Sequence, residues 1–363
     1  MQRRRFLVKA GGALVAAGAA TSVIDAPNVI AQPRAQWRMP TMWPHALDIL
    51  QGNAQKFAKI VDDLTGGRLK IQVFAGGELM PATGVFDACL QGTVEAFNGA
   101  AYYWAGKENA LQWFTSVPFG LNTQGYTAWY QHGDGLALWE EAYTPFGVVP
   151  RPGQSTNPQM GGWFRKKINT IDDVKGLKIR IPGLAGKVYA KAGAAVVLLP
   201  PGEIYTALER GTIDAAEFIG PHDDLRLGFQ NAARYYYYPG WHEATSIAEF
   251  SFNKKAYDGL PVDSRRALDY AAAVILASSD AEYFVKNAAG LQRLNTEFKT
   301  KVELIKFPDA LLDGARKVSA QVMQEEADKS PLAKKVAAAY AKFVATTADW
   351  AKVEGAYYST LSN

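Results

Sequence analysis

Two ionisable residues stand where this sequence makes charge hardest to place. Arg180 sits in Ile179-Arg180-Ile181-Pro182, at the end of an apolar strand pattern and just before a Pro-Gly turn. It is either a surface residue whose stem snorkels along apolar neighbours or a guanidinium aimed into a cleft. In a cleft its planar fork takes a carboxylate through two parallel hydrogen bonds, which lysine cannot do. Glu217 lies inside the apolar run Ala215-Ala216-Glu217-Phe218-Ile219. Isolated buried charge is very costly, so Glu217 needs a partner, in a structural ion pair or in a ligand site. Gln159 precedes Gly161-Gly162-Trp163 and can present its carbonyl oxygen there. Tyr102, Tyr103 and Trp104 read as core or cleft-wall aromatics.

Catalysis finds little support. The four histidines, His45, His132, His222 and His242, lack zinc-ligand spacing, and the single cysteine, Cys89, has no partner for a metal site or a disulfide. Cys89 itself reads as a small buried residue and is given no chemistry. There is no Gly-x-Ser-x-Gly elbow and no Walker loop, and the glycine pairs at 66–67, 76–77 and 161–162 lack a dinucleotide fingerprint. His222-Asp223-Asp224 reads as an acid–base cluster or, more simply, as surface-loop residues. A binding protein is favoured over an enzyme.

The elements that must position these residues come as a repeat. Val85-Phe86-Asp87-Ala88-Cys89-Leu90-Gln91-Gly92-Thr93-Val94-Glu95-Ala96 is echoed by Ile204-Tyr205-Thr206-Ala207-Leu208-Glu209-Arg210-Gly211-Thr212-Ile213-Asp214-Ala215. Each copy is a short helix closed by a glycine that can take the left-handed conformation, followed by a buried strand. Two similarly built lobes explain the pair. Around them, Trp37–Trp43, Leu69–Phe74, Gly161–Phe164, Leu177–Ile181 and Val196–Leu199 read as strands, and Ala46–Leu64 reads as an amphipathic helix stopped by Gly66-Gly67. Strands alternating with helices predict parallel, doubly wound sheets, with ligands at the carboxyl ends of strands where the lobes face each other.

The 363 residues suit two lobes, and 48% apolar with 20% charged residues describes an ordinary globular chain. The net charge of +4 is concentrated at one end: without residues 1–31 the chain loses Arg3, Arg4, Arg5, Lys9 and Asp25, which leaves +1. No clustered basic face for nucleic acid remains. Arg3-Arg4-Arg5-Phe6-Leu7, the Gly/Ala-rich stretch after it and Val29-Ile30-Ala31 read as a removable twin-arginine signal for export to the periplasm, too short to anchor in a bilayer. From Pro261 the pattern turns helical to about Lys301, then over 309–330 and 332–359. That much helix is a brace across the lobes, an oligomer interface or a plain cap.

At Gly77-Glu78-Leu79, Gly92-Thr93-Val94-Glu95, Gly176-Leu177-Lys178-Ile179-Arg180 and Gly211-Thr212-Ile213-Asp214-Ala215 the chain resembles the extracytoplasmic solute-binding proteins of tripartite ATP-independent periplasmic (TRAP) transporters. Within that DctP family it is similar to the α-keto-acid and lactate branch at Gln159–Lys166, Gly220–Asp224 and Tyr235–Trp241. The resemblance implies an α/β, two-lobed periplasmic binding protein with doubly wound sheets, a hinge and long C-terminal helices. It divides the chain into a signal (1–31), a first lobe (32–150, with 245–285 returning to it), a second lobe (151–244) and a C-terminal helical segment (286–363) that serves as a dimer interface.

The same resemblance implies a small 2-oxo or 2-hydroxy monocarboxylate held together with a metal ion, delivered to a membrane permease by a receptor that is a homodimer. Arg180 then matches the carboxylate-binding arginine. Gln159 and Glu217 match metal-binding side chains, and Phe218 the backbone carbonyl ligand. Tyr102, Tyr103, Asn157 and Glu243 match pocket residues. The ligand and Glu217 bring two negative charges and Arg180 offsets one. A monovalent cation therefore completes neutrality, so hard oxygen donors point to Na⁺, with Ca²⁺ as the alternative. The other readings are a larger or aromatic carboxylate, a sensory adaptor that presents its ligand, and, last, an exported enzyme using Glu217 as a base.

Overall fold

The computed structural model describes residues 34–360, so the twin-arginine segment lies outside the described residues. Eleven strands form along the described chain: β1 (Ala35–Pro40), β2 (Leu69–Phe74), β3 (Ala96–Gly99), β4 (Val148–Ser155), β5 (Gly162–Phe164), β6 (Lys178–Arg180), β7 (Ala195–Val197), β8 (Ala215–Ala216), β9 (Tyr235–Tyr238), β10 (Ile247–Asn253) and β11 (Glu303–Lys306). Between them run helices α1 (Leu50–Thr65), α2 (Val85–Leu90), α3 (Thr123–His132), α4 (Gly135–Tyr143), α5 (Gly183–Lys191), α6 (Pro201–Glu209), α7 (Pro221–Leu227) and α8 (Lys254–Asp258). Three longer helices close the chain: α9 (Val262–Thr296), α10 (Asp309–Ala327) and α11 (Pro331–Thr360). Among the described residues no helix is long and apolar enough to cross a membrane.

The described strands form three sheets, of which the first two, joined by a single bridge, build the first lobe and the third builds the second. In the first lobe, β1 pairs in parallel with β2, a bridge from Thr41 to Asn98 ties β1 to β3, and the order continues β3-β10-β4. Its core is aromatic: Phe57 of α1 stacks on Phe250 of β10 at 3.9 Å between centroids. Gly66, at φ 59°, ends α1 as expected, although Leu64 on the predicted apolar stripe is exposed at the last turn. The sheet of the second lobe runs β11-β9-β5-β8-β6-β7.

Pairing is mixed where helix–strand alternation predicted parallel strands. β5 runs antiparallel to both β8 and β9, and β10 runs antiparallel to both of its neighbours. These strands are reached by chain that crosses from one lobe to the other, so no helical crossover within a sheet sets their direction. β4 carries on past residue 150 to Ser155 beside β10, and the change of sheet comes in 156–161. The C-terminal segment also contributes a strand, β11, parallel to β9.

The sequence repeat is a structural one. Gly92 and Gly211 both stand at φ 71°. After the first, the amides of Thr93 and Val94 both bond to the Ala88 carbonyl, at 2.8 and 3.3 Å; after the second, those of Thr212 and Ile213 both bond to that of Ala207, at 3.0 and 3.3 Å. Each turn then releases a buried strand, β3 in one lobe and β8 in the other.

Four spans join the lobes: 156–161, 239–246, the passage from α9 to β11, and 328–330 between α10 and α11. The first two meet on α9. Asp280 Oδ1 accepts hydrogen bonds from Thr123 Oγ1, Ser155 Oγ and Asn157 Nδ2 at 2.7, 2.9 and 3.0 Å, and Ser155 Oγ also lies 3.1 Å from Thr245 Oγ1. α10 is held to α5 of the second lobe by Lys191–Glu325, whereas α11 is held to the first by Lys335–Glu141 and by Tyr340, which packs on Trp129. The C-terminal helices therefore brace both lobes.

Candidate functional site

β6 ends at Arg180 because Ile179 and Ile181 are drawn into the core of the second lobe on either side of it. The guanidinium is fully buried, which excludes a snorkelling surface role. Its Nε donates to the Leu199 carbonyl at 3.1 Å, Nη1 to the Glu217 carbonyl at 2.7 Å, and Nη2 to the Tyr103 hydroxyl at 3.2 Å. A guanidinium has five N–H donors. Three bonds leave two, one on each terminal nitrogen, the number a carboxylate accepts side by side. The Phe218 ring lies 5.6 Å from the guanidinium carbon and closes one side.

Glu217 leaves β8 beside Arg180, with its amide on the Arg180 carbonyl at 2.9 Å. Its carboxylate is not the tight partner of the arginine: Nη1 to Oε2 is 3.8 Å, and the near bond goes to the backbone. His242 Nε2 comes within 3.2 Å of Oε1 without hydrogen-bond alignment. Among the described residues neither carboxylate oxygen has a hydrogen-bond donor, although Glu217 is buried. Burial pushes this carboxyl well above the usual range, against the pull of Arg180. Burial also pushes His242 down to about 4, so the ring is neutral at pH 7.

Gln159 is brought to the same place from the first crossing span. Met160 N donates to the Ile219 carbonyl at 2.8 Å, and Gln159 N to the Glu243 carbonyl at 3.2 Å, which lays this segment along Glu217–Ile219. The Gln159 side chain donates to Thr156 Oγ1 at 3.0 Å, while its Oε1 is buried without a donor. Two buried side chains thus present oxygen atoms that no protein donor satisfies. Such atoms cost free energy unless a cation takes them, so this donor set fits a hard metal ion.

From the first lobe, Tyr102 and Tyr103 stand in a single 3-10 turn after β3, their rings 4.6 Å apart and edge to face. Trp104 beside them donates to buried Glu249 at 3.0 Å, which anchors the turn. Gly183, at φ 62°, faces Tyr102 so closely that an added Cβ would lie 2.6 Å from the ring, so only glycine suits this approach. Glu243 is buried in the second crossing span, and burial with the nearby Glu217 charge raises its carboxyl well above the usual range.

One expected pocket residue faces elsewhere. Asn157 takes a left-handed φ of 60°, donates its backbone amide to Ser155 Oγ at 3.0 Å and its side-chain nitrogen to Asp280 Oδ1 at 3.0 Å, which ties it into the first crossing span. The His222-Asp223-Asp224 string is likewise neither an acid–base cluster nor a surface loop. His222 meets Asp48 at 2.7 Å, while Asp223 and Asp224 are buried on Tyr283 and on Trp163 with Tyr236. Asp48, His222 and Asp223 are close enough to suggest a metal, but Lys286 and Arg226 already sit 3.1 and 3.2 Å from Asp48. His242, buried beside Glu217, has no metal-ligand spacing in the sequence; its place between Trp241 and Glu243 is the signal that points to it.

Comparisons with known proteins agree with this architecture. Residues 41–330 match the family described as bacterial extracellular solute-binding protein, family 7. The monocarboxylate 2-oxoacid-binding periplasmic protein of Nostoc sp. (strain PCC 7120) is 40% identical over 331 residues, covering 91% of this chain and 90% of that protein. A TRAP transporter solute-binding protein from Bordetella bronchiseptica, described as a mixed-occupancy dimer with copurified calcium and picolinate, has a TM-score of 0.88 and 37% identity, covering 91% of this chain and 97% of its own. A TRAP periplasmic solute-binding protein from Pseudoalteromonas atlantica with bound sodium and pyruvate has a TM-score of 0.87 and 37% identity, covering 90% and 99%. On sequence and fold together, the chain belongs to the bacterial extracellular solute-binding protein family 7, the DctP family of TRAP solute-binding proteins.

Proposed function

We propose that this protein is the periplasmic receptor of a TRAP transporter, which captures a small 2-oxo or 2-hydroxy monocarboxylate with a metal ion and delivers it unchanged to the membrane permease. The observation that carries this reading is the buried Arg180 fork with two N–H donors to spare, set beside the donorless oxygens of Glu217 and Gln159. Arg180 binds and orients the ligand carboxylate, and Tyr102 and Tyr103 cover it from the opposite lobe. Gln159 Oε1, the Glu217 carboxylate and the Phe218 carbonyl would hold the cation, which supplies the positive charge that lets Glu217 stay ionised next to an anionic ligand. Na⁺ balances ligand, Glu217 and Arg180; Ca²⁺ becomes the better match if Glu243 shares its charge. Relatives with either ion, and with pyruvate or aromatic picolinate, support a carboxylate site of this kind. Hinge closure and release then serve delivery.

Thermal unfolding with pyruvate tests this. Tm should rise with pyruvate, rise further with Na⁺ or Ca²⁺, and lose the second increment with a chelator for Ca²⁺. No response to any small organic acid, or turnover of the acid, argues against a receptor.

We further infer that two copies associate through the C-terminal helix and that residues 1–31 form a twin-arginine signal. Trp350 on α11 is 69% exposed, with Val353 and Tyr357 exposed beside it at helical spacing, and α9 exposes Tyr270, Phe284 and Val285. A second copy of the chain covers such patches, as the dimeric Bordetella relative supports. Trp350→Glu should shift the mass seen by light scattering toward a monomer.

A further inference from the structure

The loop that carries Glu217 and Phe218 is held from behind by another buried carboxylate, and we propose that Asp224 is a positioning residue for the cation site. The inference rests on the reading of that site given above. Asp224 lies in the first turn of α7 and is buried. Its Oδ1 accepts from the Ile219 amide at 3.3 Å; its Oδ2 accepts from Trp163 Nε1 at 2.9 Å and from the Tyr236 hydroxyl at 2.7 Å.

Each of these partners borders the loop. Trp163 on β5 is in register with Ala216 on one side and with Tyr236 of β9 on the other, and the two rings stack at 4.0 Å. Ala216 is the residue before Glu217. Ile219, whose amide Asp224 takes, accepts the Met160 amide through its own carbonyl, and Met160 follows Gln159. One side chain therefore fixes the spacing between both proposed side-chain ligands. Both oxygens of Asp224 are engaged by protein donors, one on Oδ1 and two on Oδ2, which suits it to an outer role, in contrast to the donorless oxygens of Glu217. Outer partners of this kind orient the groups that bind metal, and losing one costs about 10–100-fold in metal affinity.

Asp224→Asn keeps the shape and spoils the match to three donors. Calorimetric titration of Ca²⁺ and of Na⁺ into the mature protein in excess pyruvate should show affinity for the ion falling about tenfold or more. Tyr236→Phe removes one donor and keeps the ring stack, and should lose less, in the same direction. A purely structural role would lower Tm equally with and without the ion and leave its affinity within about twofold of wild type, which overturns the proposal. Should Asp224→Asn fail to fold, Tyr236→Phe decides: unchanged ion affinity in that variant overturns it. A wild type that binds neither ion sinks the proposed function and this inference together, whereas equal binding by wild type and Asp224→Asn sinks this inference alone.

Discussion

The Tyr103 hydroxyl accepts a hydrogen bond from Arg180 Nη2 at 3.2 Å, and so joins a turn of the first lobe to a strand end of the second. The oxygen that receives this bond keeps its own proton to offer. On the function proposed above, a ligand carboxylate seated on Arg180 would meet this hydroxyl donor from the facing lobe.

Tyr103→Phe removes that cross-lobe bond and little volume. Pyruvate affinity should fall about three- to tenfold, the effect of one hydrogen bond of roughly 1 kcal/mol, with Tm of the ligand-free protein nearly unchanged. Titration calorimetry checks it; unchanged affinity denies the bond a role in capture.

Arg180→Met should abolish pyruvate binding, a loss of more than about 100-fold, because a charge-assisted pair of hydrogen bonds to a buried carboxylate is lost along with its charge. Arg180→Lys should recover little, since an ammonium cannot also reach the Leu199 and Glu217 carbonyls and Tyr103. Affinity of the Met variant within about tenfold of wild type would refute the assignment.

Glu217→Gln should weaken the dependence of binding on the cation more than it weakens the fold. The carboxyl has no hydrogen-bond donor to lose, and without the ion burial already favours the neutral form that the amide mimics. The expected pattern in thermal scans is an equal or higher Tm without ion and a diminished rise with it.

Glu249 offers a pH test away from the site. Burial, opposed by bonds from Ser251, Tyr143 and Trp104, pushes its carboxyl up to about 7. A carboxyl raised in the folded state favours folding while protonated, so its contribution is whole below the ordinary range near 4.5 and is lost as pH rises to about 7. Relative to Glu249→Gln, the wild type should therefore lose on the order of 2 kcal/mol between pH 4.5 and pH 8 in denaturant melts. A pH-independent difference between the two would contradict this.

The parts of the fold legible in the sequence were those with local causes. Gly66, Gly92 and Gly211 announce their turns because left-handed φ demands glycine, and the repeated helix–turn–strand unit carried the two-lobe architecture with it. Arg180 and Glu217 were legible as charges within apolar runs. Strand direction in the sheet of the second lobe was not, because β5 enters it from the other lobe and no periodicity encodes that arrival. Nor was the engagement of Asn157 with Asp280, separated by 123 positions in sequence, or the burial of Asp223 and Asp224, whose donors Tyr283, Trp163 and Tyr236 come from distant elements.

The linkage between α10 and α11 at 328–330 has a bearing on energetics as well as shape. Two lobes tethered at one flexible point could twist, slide and gape independently. Four crossing spans, one of them leading out of the 35-residue helix α9, oppose motions that do not bend all four together. In the receptor proposed above, lobes restrained in this way would surrender little freedom on closing, so most of what ligand and ion contribute on contact would remain as grip.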